Sequence, residues 1–368
     1  MIRMIAVTLL AALASTEASR TALCDDNFDW GGWFSSGVHA NAWGTTDNGP
    51  LGTKRIGNAY TVNQLWGFAE KTLDTSGGWD FGGRVDYMFG SDASSMQAFG
   101  DGSWDADWNS SDDYGSAMPQ LFGEVGYGDF KVKAGRFLTS IGWECVDDPP
   151  GFFSSNSYSY FYAEPATHTG VLGTWETSDA LTFHAGWTNG WDAGFTDNGG
   201  ASTFLGGVTW AGLEDLTVTY FCSAGSLPRD EGDLYMHSLV FELALTERLA
   251  WILHNDFAIQ SGLSAGDDAL WTGIVQYLQY DLTDTLAAGI RFEWFQDRDA
   301  ARVAPGELSG NFYELTAGLN WRPTSRLIIR PELRYDWFSG TYVPGCLPFN
   351  DGTDDQQFSG GFDVIVTF

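Results

Sequence analysis

Apolar and polar residues alternate with a period of two along much of this chain. The clearest case is the segment 358–368, where one face carries phenylalanine at both ends and valine between them, and the other carries mostly polar residues. Such a face suits hydrocarbon bounded by two interfacial aromatic girdles. The segments 285–296 and 326–338 repeat the pattern, with charged residues opposite the apolar face. Together the alternating segments number about sixteen, each close to the roughly ten residues of a tilted transmembrane strand.

The connections between these segments alternate strictly between short and long. The short ones are turns at 74–77, 128–129, 176–179, 211–215, 246–248, 283–285 and 322–325. The long polar ones cover 44–60, 91–117, 140–166, 191–200, 223–233, 260–268, 297–310 and 339–356. We therefore predict an all-β fold, a transmembrane up-and-down antiparallel β-barrel of about sixteen strands. The barrel has to close on itself, because an open sheet edge finds no hydrogen-bond partner in lipid.

The first residues of the chain have the features of a secretory signal peptide. Arg3 supplies the positive start, 4–14 the apolar core, and the small residues up to Ala18 a cleavage site. We predict a signal peptide at 1–18 and an outer-membrane β-barrel at 19–368. Leu23 just before Cys24 does not suit a lipoprotein signal.

The net charge of the chain limits the kinds of partner that it can have. Lys and Arg total 18 against 48 Asp and Glu, a net charge of −30, which excludes nucleic acid as a partner because phosphates would be repelled. The long connections hold 24 of the acidic residues and five basic ones, so an acidic mouth would concentrate cations. Asp105, Asp107 and Asn109 have calcium-loop spacing, but Ser110 and Ser116 stand where glycine and glutamate belong. A solvated loop is the better interpretation, and we predict no metal site and no cofactor.

A block of motifs lies within 135–173. Its parts follow in the order Gly135-Arg136-Phe137, Ile141-Gly142-Trp143-Glu144, the Ser/Tyr-rich 155–159, Glu164-Pro165 and 167–173, which reads Thr-His-Thr-Gly-Val-Leu-Gly. The block resembles the OmpL-like putative β-barrel porins. Cys145 and Ala166 depart from the pattern of that family, which has an apolar and commonly an aromatic residue there. The resemblance implies an outer-membrane porin, a passive diffusion channel for small polar solutes and ions.

Charged residues on the predicted inner faces of the strands would line such a pore. They are Arg84, Asp86, Lys131, Lys133, Arg136, Arg291, Glu293, Arg330, Glu332, Arg334 and Asp336. An alternative is that they pair across strands as salt bridges that only stiffen the wall. The 140–166 connection is the candidate constriction loop, carrying Glu144, Asp147, Asp148 and Glu164. Folded inward, these carboxylates would oppose the basic wall across the bore; an ordinary external loop is the alternative.

Two other functions fit parts of the sequence. One is a secreted soluble aromatic-rich β-protein such as a carbohydrate-binding module, and the other is a receptor or adhesin barrel plugged by its loops. An enzyme is not predicted, because the five histidines form no recognised catalytic motif. His254 and Asp256 share one face of a strand, which favours a hydrogen bond in the wall over a catalytic dyad.

The expected partners follow from the barrel. They are outer-membrane lipid, small polar solutes and ions, and the barrel-assembly machinery, through the C-terminal strand ending in Phe368. A homotrimer is usual for barrels of this size. Cys145 and Cys346 lie in two long connections and either pair or stay free.

Overall fold

Seventeen antiparallel strand segments make up the sheet in a computed structural model that describes residues 27–99, 104–196, 199–227, 232–262 and 268–368. The predicted signal peptide and Cys24 lie outside these residues. The first nine segments are β1 (Phe28–Asn41), β2 (Ala59–Lys71), β3 (Trp79–Gly90), β4 (Gly115–Ala117), β5 (Leu121–Tyr127), β6 (Phe130–Leu138), β7 (Thr167–Ser178), β8 (Leu181–Trp191) and β9 (Ser202–Leu213). The others are β10 (Leu216–Ser226), β11 (Asp233–Thr246), β12 (Leu249–Gln260), β13 (Ala269–Thr283), β14 (Leu286–Asp297), β15 (Leu308–Thr324), β16 (Leu327–Tyr342) and β17 (Gln356–Thr367).

The sheet closes into a barrel. Each strand pairs with its neighbours in the chain, and β17 pairs back onto β1. At the seam, Gly32 N donates to Phe368 O at 3.0 Å and Phe368 N donates to Gly32 O at 2.9 Å. Because β4 and β5 both pair with β3 and share one position, the barrel has sixteen strands, as predicted.

The break between β4 and β5 has a local cause. Pro119 has no N–H for the ladder. Met118 N donates instead to the carboxylate of Asp105 at 2.8 Å, and Gln120 O accepts from Asp86 N at 2.9 Å. The predicted 91–117 loop therefore contains a short strand.

The alternating faces follow the prediction. Ile290, Leu333 and Phe358 are about half exposed on the outside, at 49%, 58% and 49%, whereas Arg330 and Arg334 on the inside are 1% exposed. A period of two separates the faces because successive side chains of a strand point to opposite sides of the sheet. The three segments used for the prediction, 285–296, 326–338 and 358–368, are thus assigned to the correct faces.

The helical elements are short and lie in the connections. They are a one-turn α-helix at Ala93–Met96, 3-10 turns at Gly52–Lys54 and Thr75–Gly77, and a π turn at Ser159–Ala163. Among the described residues, no helix is long and apolar enough to cross a membrane. Most predicted long connections match the gaps between strands, but β10 continues to Ser226, so the predicted 223–233 loop begins too early.

Candidate functional site

The longest connection, residues 139–166, which we call the inner loop, lies inside the barrel, with polar contacts to β13–β17 and further contacts to β2, β11 and β12. Its backbone donates to two carboxylates of the wall. Glu293 accepts from Tyr158 N at 2.6 Å and from Ser159 N at 2.7 Å. Glu332 accepts from Ser154 N at 2.8 Å. Charged acceptors make these stronger than ordinary peptide hydrogen bonds.

Three wall arginines bind the carbonyl groups of the same loop. Arg291 donates to Ser155 O at 2.7 Å, and Arg334 donates to Asn156 O at 2.6 Å. Arg330 donates to Asp148 O and Gly151 O, both at 2.9 Å. The loop is therefore held through its peptide groups: wall carboxylates accept hydrogen bonds from its N–H groups, and wall arginines donate to its C=O groups.

The same arginines also form ion pairs within the wall. Arg291 pairs with Glu314, Arg330 with Asp363 and Arg334 with Asp336. All six side chains are buried. The Arg291–Glu314 and Arg330–Asp363 pairs join neighbouring strands, the arrangement that the sequence left open as the alternative to free pore-lining charges, whereas Arg334 and Asp336 lie on the same strand.

Two loop carboxylates touch the arginines directly. Glu144 Oε1 lies 3.1 Å from Arg291 Nη1 and accepts from Tyr277 OH at 2.7 Å. Asp148 Oδ1 lies 3.2 Å from Arg330 Nη2. We predicted that these carboxylates would face a basic wall across the bore; the structure has them in contact with it, because desolvated opposite charges attract strongly at short range.

Glycines on the inner face of the wall make room for the loop. A Cβ added to Gly273 would lie 2.0 Å from Ser159 Oγ, and one on Gly289 would lie 2.4 Å from a ring carbon of Phe152. On Gly318 it would lie 3.1 Å from the ring of Phe153. We call Gly273, Gly289 and Gly318 the glycine seat. The sequence analysis did not predict the glycine seat, although glycines on the inner faces of β13, β14 and β15 could have indicated that something packs against this part of the wall.

Filling the seat should loosen the loop. In Gly289→Leu the new side chain competes with Phe152 for one volume, and overpacking of this kind costs about 1–3 kcal/mol. We expect a lower free energy of unfolding in lipid vesicles and noisier open-channel current. Gly123→Leu is the control, because a Cβ on Gly123 meets nothing within 4 Å. Equal unfolding free energies for the two variants would contradict the seat.

The two ends of the inner loop meet at Gly142 and Glu164. Gly142 has φ +87°, a conformation that disfavours a side chain, and its added Cβ would lie 2.0 Å from Glu164 Oε2. The Gly-Trp-Glu and Glu-Pro motifs of the sequence therefore meet in space. Glu164 in turn contacts His254 of β12, with Oε1 3.1 Å from Nε2.

The remaining predicted residues lie away from the inner loop's seat. Arg84 pairs with Asp86, which also accepts from Trp66 Nε1 at 2.9 Å. Lys131 pairs with Glu176 at 2.7 Å at the short-turn end, where both side chains are partly exposed. Each of these charges has an opposite charge beside it.

Lys133 and Arg136 of β6 have different surroundings. Lys133 lies over the ring of Phe137, with Nζ 4.5 Å from its centre. Arg136 is buried and donates to Asp105 at 3.0 Å. Asp105 is 0% exposed and also accepts from Ala98 N, so the solvated loop predicted there is wrong at this residue: an arginine and two backbone amides compensate its buried charge.

The inner face of β3–β11 is the more open half of the barrel. Its inner side chains toward the short turns are half-buried or exposed, in contrast to the buried inner side chains of β13–β17. They are Arg84, Glu124, Lys133, Thr174, His184, Thr209, Thr219 and Glu242. All are polar.

Cys145 is a natural reporter of the space beneath the inner loop. It lines a cavity together with Trp143, Asp147 and Pro150. Cys145 and Cys346 are both free thiols, so they are not paired with each other. Cys145 is exposed as a residue, but the protein atoms packed around its sulfur, followed by the nearby Asp147 and Glu144 carboxylates, raise the pKa of the thiol to about 12.

The raised pKa predicts how Cys145 reacts. Only the thiolate attacks a methanethiosulfonate reagent, so the rate should rise about tenfold per pH unit from pH 8 to 11. Modification should lower single-channel conductance, measured in a variant with Cys24, Cys222 and Cys346 replaced by serine. The same protein with Cys145→Ser is the control. A rate independent of pH would contradict the raised pKa.

Comparison with known proteins identifies the fold family. The family described as "Putative beta-barrel porin-2, OmpL-like" matches residues 27–368. The chain belongs to this porin family. The resemblance expected from the 135–173 motifs is thus confirmed over the whole barrel, and the protein is an outer-membrane porin.

Solved structures share the porin's architecture at low sequence identity. OmpT of Vibrio cholerae is 13% identical with a TM-score of 0.60, covering 94% of this chain and 99% of that one. An anion-selective porin from Comamonas acidovorans is 10% identical, with a TM-score of 0.63 and coverages of 93% and 99%. OprB of Pseudomonas putida is 13% identical, with a TM-score of 0.62 and coverages of 95% and 96%. These likenesses concern the fold alone. No curated protein matches the sequence.

Proposed function

We propose that this porin is a passive diffusion channel whose solutes pass between the inner loop and the wall formed by β3–β11. The observation that carries the proposal is the uneven burial of the interior. Inner side chains on β13–β17 are covered by the loop, while those on β3–β11 that lie nearer the short turns stay open. Nearer the long connections, Leu172, Phe221 and Met236 of the same wall are buried in an apolar cluster with loop residues. The loop is then the constriction, and the exposed wall opposite it is the pore lining.

The residues on this path favour small polar solutes. Thr174, Thr209 and Thr219 offer hydroxyl groups that donate and accept hydrogen bonds. Lys133 and Glu242 add opposite charges at separate points of the wall. A solute that exchanges water for such groups keeps its hydrogen bonds during passage, and an apolar solute gains nothing.

In this proposal nine of the eleven predicted wall charges divide into two groups, while Asp86 and Arg136 are buried in pairs with Arg84 and Asp105. Arg84, Lys131 and Lys133 belong to the solute path, with Asp147 of the inner loop near Arg84. The second group anchors the loop rather than lining the bore. Its members are Arg291, Glu293, Arg330, Glu332, Arg334 and Asp336.

The acidic mouth should make the channel prefer cations. Half of the 48 acidic residues and only five basic residues lie in the long predicted connections. Fixed negative charge at an entrance raises the local concentration of cations, and added salt screens the effect.

Recording from the refolded porin in a planar bilayer tests the proposal. We expect discrete conductance steps and, in a KCl gradient, a reversal potential of the sign of potassium selectivity that shrinks as total salt rises. Absence of conductance from barrels with heat-modifiable gel mobility would favour the receptor or adhesin alternative. A chloride-selective potential would refute the cation preference while leaving the channel intact.

The same proposal covers assembly. OmpT of Vibrio cholerae has been solved in a trimer form. We expect a homotrimer here, detectable by chemical cross-linking in mild detergent. We expect the barrel-assembly machinery to recognise the strand ending in Phe368 before the trimer forms.

A further inference from the structure

Three buried side chains converge where the inner loop returns to the wall. Glu164 lies at the end of the loop, and His254 and Asp256 lie on the inner face of β12. His254 Nε2 is 3.1 Å from Glu164 Oε1 and 3.0 Å from Asp256 Oδ1. The three side chains are at most 1% exposed.

The arrangement places more oxygens around the imidazole nitrogen than one proton can serve. Ser238 Oγ is a third neighbour of Nε2, at 3.1 Å. A nitrogen of the neutral ring carries at most one hydrogen. Among the described residues, Glu164 Oε1 and Asp256 Oδ2 are buried without a hydrogen-bond donor. Buried acceptors of this kind are costly unless a partner of positive charge compensates them.

The donor set and its spacing match a metal site. Zinc binds histidine nitrogen at about 2.0–2.1 Å and carboxylate oxygen at about 2.0–2.2 Å, usually in a tetrahedron, so two such ligands stand about 3.3 Å apart and the present atoms would separate by a few tenths of an ångström around an ion. The two nitrogen–oxygen separations here are 3.0 and 3.1 Å. One ligand atom from each residue lies within 4.8 Å of the others.

We propose that Glu164, His254 and Asp256 bind one divalent transition-metal ion, with Zn²⁺ as the representative ion. An imidazole with two carboxylates suits zinc and its first-row neighbours better than calcium or magnesium, which take oxygen ligands. In this role Nε2 of His254 is the metal ligand and Nδ1, which is buried without a hydrogen-bond partner among the described residues, carries the ring proton. The sequence analysis predicted no metal, because Glu164 is 90 residues away from His254 along the chain.

The ion would have a route to the site and a structural effect there. Glu164 borders a cavity on the side of the long connections, together with Met96, Phe161 and Arg302. The peptide groups of the loop are fixed on β14 and β16, whereas this site would fix its last residues on β12. Metal binding would thereby join the loop to the wall at a second point.

Zinc titration of the metal-stripped, refolded porin tests this proposal. Isothermal calorimetry should give one Zn²⁺ per chain, and Co²⁺ should give a ligand-field absorption spectrum. His254→Ala and Glu164→Gln should each weaken binding at least about 100-fold, since loss of a direct ligand exceeds the 10–100-fold typical of outer-shell changes. His184→Ala is the matched control and should bind as tightly as the wild type, because the described contacts of this inner-wall histidine are with Thr174 and Phe221 and with none of the three proposed ligands.

Heat-modifiable gel mobility identifies the variants that fold, and only these enter the comparison. Absence of zinc binding by the wild type, or equal binding by folded His254→Ala, would overturn the site and leave a shared proton between the three groups. The titration is independent of ion conduction. A silent barrel that binds zinc would therefore refute the proposed function and not the metal site.

Discussion

Removal of the inner loop should raise single-channel conductance at least about twofold, because a barrel of this size without internal loops leaves an open aqueous channel. The variant lacks residues 144–163, with two glycines joining Trp143 to Glu164. The ends are close enough for so short a link, since Gly142 lies beside the Glu164 carboxylate. In the wall left behind, Arg291, Arg330 and Arg334 keep carboxylate partners on neighbouring strands or their own strand, whereas Glu293 and Glu332 lose their loop donors and face the opened bore.

The control for this deletion removes exposed residues at the mouth. Residues 111–113 are exposed in the second long connection, and their deletion should leave conductance nearly unchanged. Recordings at several salt concentrations separate a wider bore from altered surface charge. An unchanged conductance in the 144–163 deletion would mean that the loop does not limit flow.

The second large effect concerns stability. Arg330→Ala should lower the free energy of unfolding by about 3–5 kcal/mol, the cost of leaving the partner of a buried ion pair uncompensated. That partner is Asp363, which is 0% exposed. The substitution also removes one donor to each of the carbonyls of Asp148 and Gly151. Arg330→Lys should recover only part of the loss, because an ammonium group cannot reproduce the fork of a guanidinium.

Guanidinium unfolding of the porin in lipid vesicles measures this loss. Lys131→Ala is the matched control, because Lys131 and Glu176 form a partly exposed pair at the short-turn end. Exposed pairs contribute at most about 1 kcal/mol. Similar losses in the two variants would show that the buried arginine network does not stabilise the barrel.

The sequence predicted the barrel because lipid imposes a strict pattern. Every strand has to present an apolar face outside and every backbone group has to pair, so alternation along 326–338 and 358–368 was sufficient to assign faces. The strand ends flanking 140–166 were also predicted to within a residue or two, since polar connections contrast with apolar strands.

The interior was less predictable. Which inner charges pair, such as Arg330 with Asp363, depends on strand register, and register is fixed by the whole closed sheet. The contacts of the inner loop depend on a path that no periodicity encodes. Arg136 of β6 illustrates this limit, because its partner Asp105 lies in the distant 91–117 connection.

The way in which the wall holds the inner loop has an evolutionary consequence. Glu293, Glu332, Arg291 and Arg334 bind peptide N–H and C=O groups, which every amino acid except proline supplies in full. Side chains on the open side of the loop, such as Asp147, are therefore interchangeable without loss of anchorage. A descendant of this porin that keeps the wall residues could therefore change which solutes it admits through a few substitutions in the inner loop.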